Sequence, residues 1–200
     1  MAGALDRIGE RWAMLIVREL LLGPLRFSEL ARCVGDAPTD ILTRRLRDLE
    51  AGGIVLRREL DAPAVGGVYE LTELGRELED AILGLGRWGL NFYNLDDLST
   101  LATASLANAL RVVLRPPREG GPITLQLHSE NHSAWLRLVE GESSSGRGTA
   151  ERADLTLSGA AADVIAAIVM SGEAEQGIEI EGDRTALTRL RELVVLPPHW

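Results

Sequence analysis

Apolar residues in the stretch 4–22 fall three and four apart, at Ile8, Trp12, Leu15, Ile16 and Leu20. One face of a helix has that spacing, so a helix is predicted there, stopped by Gly23-Pro24. A short helix with Leu30, Ala31 and Val34 inward follows, with Ser28 as its expected cap and Glu29 in its first turn. After the turn Gly35-Asp36-Ala37-Pro38, Thr39 is the expected cap of a third helix running to Glu50. Its inward stripe is Leu42, Leu46 and Leu49, and Gly52-Gly53 ends it. The period then changes. Ile54–Leu60 and Val68–Leu71 read as strands joined by Asp61–Gly67, a loop of turn formers, which makes a hairpin with a wide tip. Thr72 opens another helix, with the stripe Leu74, Leu78, Ile82, Leu85, Trp88 and Phe92.

Asn94-Leu95-Asp96-Asp97 is the expected domain boundary, dividing 1–95 from 96–200. Residues 98–114 read as helix, with Leu98, Leu101, Leu106, Ala109, Leu110 and Val113 inward and Pro116-Pro117 after it. Strand-like alternation follows at 123–127, 135–139 and 155–157, and 143–148 is a loop or weak edge strand. Ala160–Met170 is an apolar helix and Ile178–Glu181 a strand. Asp183 is the expected cap of a last helix carrying Leu187, Leu190 and Leu193. The fold class is therefore α+β, with a mostly antiparallel sheet in the second half.

The chain has 200 residues, 46% of them hydrophobic, enough for two cores. No apolar run approaches the about 18 residues of a membrane-spanning helix. The N-terminus has no basic leader before an apolar run, and the one cysteine, Cys33, cannot form an intramolecular disulfide. A soluble cytoplasmic protein without membrane insertion is expected. The net charge of −9 opposes a polyanionic partner only if it is spread evenly, and it is not. Arg26 to Arg58 holds seven arginines and five acids, whereas residues 96–200 hold nine arginines and fifteen acids.

The basic stretch coincides with helix, helix, turn, helix, hairpin, helix, which is the winged helix-turn-helix plan. In that plan the third helix shows apolar residues to its own domain and short polar or basic ones to the DNA major groove. Thr39, Asp40, Thr43, Arg44 and Arg47 fall opposite the leucine stripe. Arginine can donate two hydrogen bonds to guanine, and threonine suits a phosphate or the thymine methyl. Arg57 and Arg58 lie on the hairpin, where a flanking phosphate or the minor groove is in reach. Arg26 and Ser28 lie at the start of the second helix, where a phosphate is favoured.

Gly9-Glu10-Arg11-Trp12, Leu20–Leu30, Leu42–Glu50 and Tyr69–Gly75 resemble, in order and spacing, the HxlR-type (MarR-like) bacterial regulators. The resemblance spans residues 4–92. It implies a transcriptional regulator, a homodimer on a roughly palindromic site of double-stranded DNA, with terminal helices at the dimer interface. Two departures stand out. The family usually carries a basic residue where Asp40 stands. Many members also sense oxidants or aldehydes through a cysteine just before the first helix, whereas Cys33 lies inside the helix-turn-helix. Cys33 reads as a small buried thiol, since no nearby basic group activates it.

Residues 98–195 resemble the sterol-carrier-protein-like domain. The resemblance rests on Ala153–Gly159, the following helix, Gly172-Glu173, Ile178–Asp183 and the leucine-rich helix after it. It implies a sheet flanked by helices around an apolar tunnel that holds a fatty acyl or other hydrophobic molecule. The candidate pocket residues are Leu125, Leu127, Trp135, Leu136, Leu138, Leu157, Ile165, Ile168 and Val169, with Met170 beside them; core residues look the same in a sequence. A dimerisation module is the alternative for this half. His128, Glu130 and His132 flank a turn and do not define a metal-binding face, so no metal site is expected. No nucleophile elbow and no Walker or Rossmann glycine pattern is present, so neither an enzyme nor a cofactor is expected. The expectation is a regulator whose DNA affinity responds to a hydrophobic effector. The alternative is a hydrophobic small-molecule carrier that uses its winged helix for assembly.

Overall fold

In the computed structural model, residues 2–35, 37–60, 66–93, 106–129, 132–170 and 177–198 are described. The chain divides into two compact units, Met1–Ile82 and Leu83–Trp200. The expected boundary at Asn94–Asp97, and Leu98 and Leu101 of the following helix, lie outside the described residues.

The first unit begins with α1 (Ala2–Ile8) and α2 (Arg11–Leu20), where the sequence pattern predicts one helix. The break is at Gly9. Its amide closes the last turn of α1 on the Leu5 carbonyl at 2.8 Å, and a Cβ there would collide with that same carbonyl. Glu10 is then extended and α2 starts afresh. The apolar period runs through the break, which is why the pattern alone hides it.

Leu25–Arg26 forms a short strand, β1, followed by α3 (Phe27–Val34). Ser28 was the expected cap, but it is the second helical residue, and Arg26 stands at the cap position instead. Glu29 does the capping in reverse: its Oε2 accepts the Arg26 amide at 2.7 Å. Helix α4 (Thr39–Ala51) likewise starts one residue before expectation, with Pro38 at the cap and Thr39 already helical. Its C-terminus closes with Gly53 at φ +70°, a conformation that favours glycine, and Ile54 donates to the Leu49 carbonyl at 3.0 Å.

Strands β2 (Val55–Glu59) and β3 (Gly67–Leu71) form the hairpin, with β1 on the other side of β3; the order is β1-β3-β2 and both pairings are antiparallel. The hairpin tip, residues 61–65, lies outside the described residues. The unit's interior is filled by Ile16, Leu20, Leu30, Leu42, Leu46, Leu49 and Val55, all buried. Burying such a side chain stabilises the fold by about 1.5–3 kcal/mol, so this cluster fixes how α4 sits on α2 and α3.

Thr72 caps α5 (Glu73–Arg76), its Oγ1 accepting the Gly75 amide at 3.0 Å and donating to the Gly53 carbonyl at 2.7 Å. The single helix expected after Thr72 is two, α5 and α6 (Glu79–Gly89), followed by a 3-10 turn at Leu90–Phe92. The expected stripe also divides. Leu78 and Ile82 pack on the first core, and Leu83 and Leu90 are buried, while Leu74, Leu85, Trp88 and Phe92 are exposed.

The second unit is a five-stranded sheet with helices α7 (Leu106–Val113), α8 (Ala161–Val169) and α9 (Arg184–Glu192). Its strands are β4 (Ile123–Ser129), β5 (His132–Val139), β6 (Glu142–Arg147), β7 (Leu155–Gly159) and β8 (Ile178–Gly182). They lie in the order β6-β5-β4-β7-β8. Every pairing is antiparallel except β4 with β7, which is parallel and spans the connection through β5 and β6. Ile123, Leu125, Leu127, Leu136, Leu138, Leu155 and Leu157 occupy one face and are buried. Of the segment 143–148, residues 143–147 lie within edge strand β6, where Ser143 and Ser145 meet the buried Arg111 of α7 at 3.2–3.4 Å. Arg191 of α9 closes the C-terminal end of α8, donating to the Ala167 carbonyl at 2.7 and 3.1 Å.

Candidate nucleic-acid interface

Helix α4 sets the geometry. Leu42, Leu46 and Leu49 anchor one side in the core, so the residues between them turn outward. Thr39, Asp40, Arg44 and Arg47 are exposed and Thr43 is half-buried. Thr43 Oγ1 donates to the Thr39 carbonyl at 2.7 Å, which orients the hydroxyl and leaves its lone pairs outward. Among the described residues, Asp40, Arg44 and Arg47 have no hydrogen-bond or ion-pair partner. Arg45, between the two exposed arginines, is different: its guanidinium meets Asp48 at 3.0 Å and Glu10 at 3.4 Å. That arginine ties α4 to the start of α2.

The hairpin completes the surface. Arg57 pairs in register with Tyr69, and both line a depression of about 420 Å³ together with Phe27, Thr39, Thr43 and Arg47. The structure thus gathers four of the expected residues, Thr39, Thr43, Arg47 and Arg57, at one concave place between helix and wing. Phe27, Leu46, Glu50 and Tyr69 line it too and were not expected there. Tyr69 had one available signal, its alternation with Val68 on a strand opposite Arg57.

The other expected residues are placed apart from that depression. Arg58 points to the opposite side of its strand and holds Glu70 through two hydrogen bonds, 3.1 and 3.2 Å. Among the described residues, Arg57 meets only the exposed Glu59, at 3.2 Å. Arg26 Nη1 would lie 3.1 Å from a Cβ on Gly66, so its guanidinium crosses the wing's backbone, and Ser28 is exposed in the first turn of α3. Cys33 is half-buried against the core.

In the second unit, Leu125, Leu127, Leu136, Leu138, Leu157, Ile165 and Ile168 are at most 1% exposed and fill the interior, with Val169 half-buried at the end of α8. Trp135 faces the other side of the sheet and lines a cavity there. His128 Nδ1 and Ser133 Oγ share a hydrogen bond of 2.8 Å, His132 is exposed, and Glu130 lies outside the described residues. Among the described residues, no three His, Cys, Asp or Glu side chains converge as a metal site, and no helix is long and apolar enough to cross a membrane.

Residues 7–97 match the family model described as HxlR-like helix-turn-helix. The HTH-type transcriptional regulator Rv3095 of Mycobacterium tuberculosis is 35% identical over 136 residues, 68% of this chain and 72% of that protein. YtcD of Bacillus subtilis, also an HTH-type transcriptional regulator, is 36% identical over 110 residues, 54% of this chain and 87% of that protein. The crystal structure of YtcD covers 46% of this chain and 93% of its own, at 36% identity and a TM-score of 0.43. These relatives are transcriptional regulators and not enzymes. With its helix, turn, helix and wing in place, this chain belongs to the HxlR-like helix-turn-helix family of transcriptional regulators.

Proposed function

We propose that the chain reads double-stranded DNA as a homodimer, through α4 in the major groove and the wing beside it. The observation that carries this reading is the pair Arg44 and Arg47, exposed opposite the buried leucines and without an internal partner among the described residues. A guanidinium already held by a carboxylate offers little to a base, whereas these two are available for guanine edges or phosphates. Thr39 and Thr43 flank them, Arg57 supplies the wing contact with Arg58 beside it braced by Glu70, and Arg26 and Ser28 a phosphate contact at the start of α3. Asp40 sits on the same face and restricts which bases or phosphates approach it.

Dimer formation is supported by Leu85, Trp88 and Phe92, spaced three and four apart on α6 and the turn after it. They are 47%, 61% and 69% exposed, with the Trp88 and Phe92 rings edge-on at 4.9 Å. Such a stripe is what a partner helix covers. We assign residues 1–95 to DNA binding and dimerisation and residues 96–200 to a sterol-carrier-like domain. The support for the latter is an apolar sheet face under three helices, whose packing a fatty acyl or similar hydrophobic effector would have to part in order to enter. The protein would act in the cytoplasm, where its DNA is. The effector shifts DNA affinity only by its preference between two arrangements of the recognition helices, whose half-sites lie about 34 Å apart.

Selection of bound sequences from random duplex DNA by the purified full chain tests the reading. Enrichment of a two-fold-related motif is expected, lost in Arg44→Ala/Arg47→Ala. No enrichment by the unaltered protein would overturn it. Titration with fatty acids of increasing length tests effector control separately: a bound fatty acid that leaves DNA affinity unchanged removes the coupling but not the DNA reading.

A further inference from the structure

The second unit's sheet carries a built cavity on its outer face, away from the leucine interior. Trp135 and Arg137 are two residues apart on β5 and so share that face, about 7 Å apart along the strand. Trp135 lies opposite Gln126 and Gly146, and Arg137 opposite Thr124 and Ser144. A Cβ on Gly146 would sit 2.8 Å from three atoms of the indole at once, so the ring lies face-on over bare backbone. Glycine at this position is what lets the indole lie flat as a floor.

A wall stands beside that floor, because the segment from Gly148 to Asp154 is pinned at both ends. Gln126, 4% exposed, donates through Nε2 to the Gly148 carbonyl at 3.1 Å, and its Oε1 accepts the Ala150 amide at 2.8 Å. At the other end, the Asp154 amide donates to the Thr124 carbonyl and the Thr124 amide to Asp154 Oδ2, each at 2.8 Å. Between floor and wall is a cavity of about 680 Å³, with Trp135 and Arg137 below and Thr149, Glu151 and Arg152 at the side. That is the size of sites for small organic molecules, about 300–1,000 Å³. The pins hold its shape before anything binds.

The chemistry of the lining names the ligand class. An indole face takes a flat ring. Among the described residues, Arg137 and Arg152 have no hydrogen-bond or ion-pair partner, while Asp154 is oriented by the Thr124 amide. Two guanidiniums and two carboxylates line the cavity, so its charge is balanced as a whole; Arg137, beside the indole on the same strand face, is the donor placed to take a carboxylate from a ligand whose ring lies on Trp135. We propose that this cavity binds a small planar aromatic carboxylate, its ring on Trp135 and its carboxylate at Arg137. The site is independent of any hydrophobic molecule held among the leucines.

Calorimetric titration of the full chain with 2-naphthoate and with the neutral 2-naphthamide tests it. Saturable binding of naphthoate is expected, with the amide at least about tenfold weaker. Arg137→Gln, an exposed change that leaves the fold intact, should erase that difference, and Trp135→Leu should weaken both ligands. No saturable binding at millimolar naphthoate overturns the proposal. So does naphthoate binding that neither variant alters, because the ligand then sits elsewhere in the unit. No DNA enters the experiment, so its failure and that of DNA reading are distinguishable.

Discussion

Arg58 and Glu70 face each other across the wing through two hydrogen bonds of 3.1 and 3.2 Å, while Arg57 on the other side of the strand meets the exposed Glu59 at 3.2 Å. Adjacent arginines on one strand therefore have different work. Arg57→Ala should weaken binding to duplexes of any sequence and reduce the slope of log affinity against log salt by about one. Arg58→Ala should leave that slope nearly unchanged and cost at most about 1 kcal/mol of stability, since the pair is partly exposed. Salt-dependent DNA titrations of both variants separate the two roles.

On the reading helix, Arg44 and Arg47 should each contribute to sequence choice. Loss of a bidentate base contact costs about 1–3 kcal/mol, and it relaxes selection at one position in each half-site. Asp40→Asn removes a like charge from the phosphates and should raise affinity for random-sequence DNA several-fold at low salt, with the gain shrinking as salt rises. An unchanged random-sequence affinity would place Asp40 away from the duplex.

Leu46 is buried beneath that same face, 1% exposed. Leu46→Ala should cost about 2–5 kcal/mol and be visible as a lower urea midpoint. It should reduce DNA binding through the fold, in contrast to Arg47→Ala, which should leave the midpoint within about 0.5 kcal/mol of the parent.

Asp183 caps α9, accepting the Thr185 hydroxyl at 2.7 Å and the Thr185 amide at 2.8 Å. Those hydrogen bonds, helped by Arg189, hold its carboxyl below the ordinary carboxylate range. A group lowered in the folded state stabilises fully above its unfolded pKa, and that contribution is lost as pH falls through the lowered folded value. The cap should therefore persist at mildly acidic pH and fail only in stronger acid. A carboxyl carbon titration by NMR reads the lowered value directly. Asp183→Ala should lower the melting temperature at neutral pH, and Asp183→Asn should restore most of it, since asparagine caps comparably.

The exposed α6 stripe gives a further test. Trp88→Glu places a charge where a partner helix would cover an indole, so sedimentation equilibrium should show a shift from dimer to monomer with the unfolding midpoint little changed. A monomeric parent protein would remove the dimer reading at once.

Much of this was legible in the sequence because it is local. The spacing of Leu42, Leu46 and Leu49 alone orients α4, and with it Thr43, Arg44 and Arg47. Thr72 and Asp183 announce themselves as caps because a short side chain precedes a periodic run. The features that escaped depend on distant or nearly invisible partners. The pairing of Leu25–Arg26 with Val68–Tyr69 is too short to have a period. The parallel pairing of β4 and β7 joins residues about thirty apart. Gly9 interrupts a helix without interrupting its stripe. Trp135 reads as core beside Leu136, yet strict alternation sends it outward, and only Gly146 on the neighbouring strand shows what it lies against.

The contact of Thr72 with Gly53 and Ile54 has a mechanical consequence. The Thr72 amide donates to the Ile54 carbonyl at 3.0 Å, and its hydroxyl to the Gly53 carbonyl at 2.7 Å. One residue thereby rivets the outgoing root of the wing to the point where α4 ends. Ile54 in turn donates to the Leu49 carbonyl of α4 at 3.0 Å, so the base of the hairpin is bonded to the end of that helix, and the two are joined like the pins of a plug. On the proposed dimer reading, release from DNA would then come from a change in the distance or angle between two such plugs, with the pins of each left where they are.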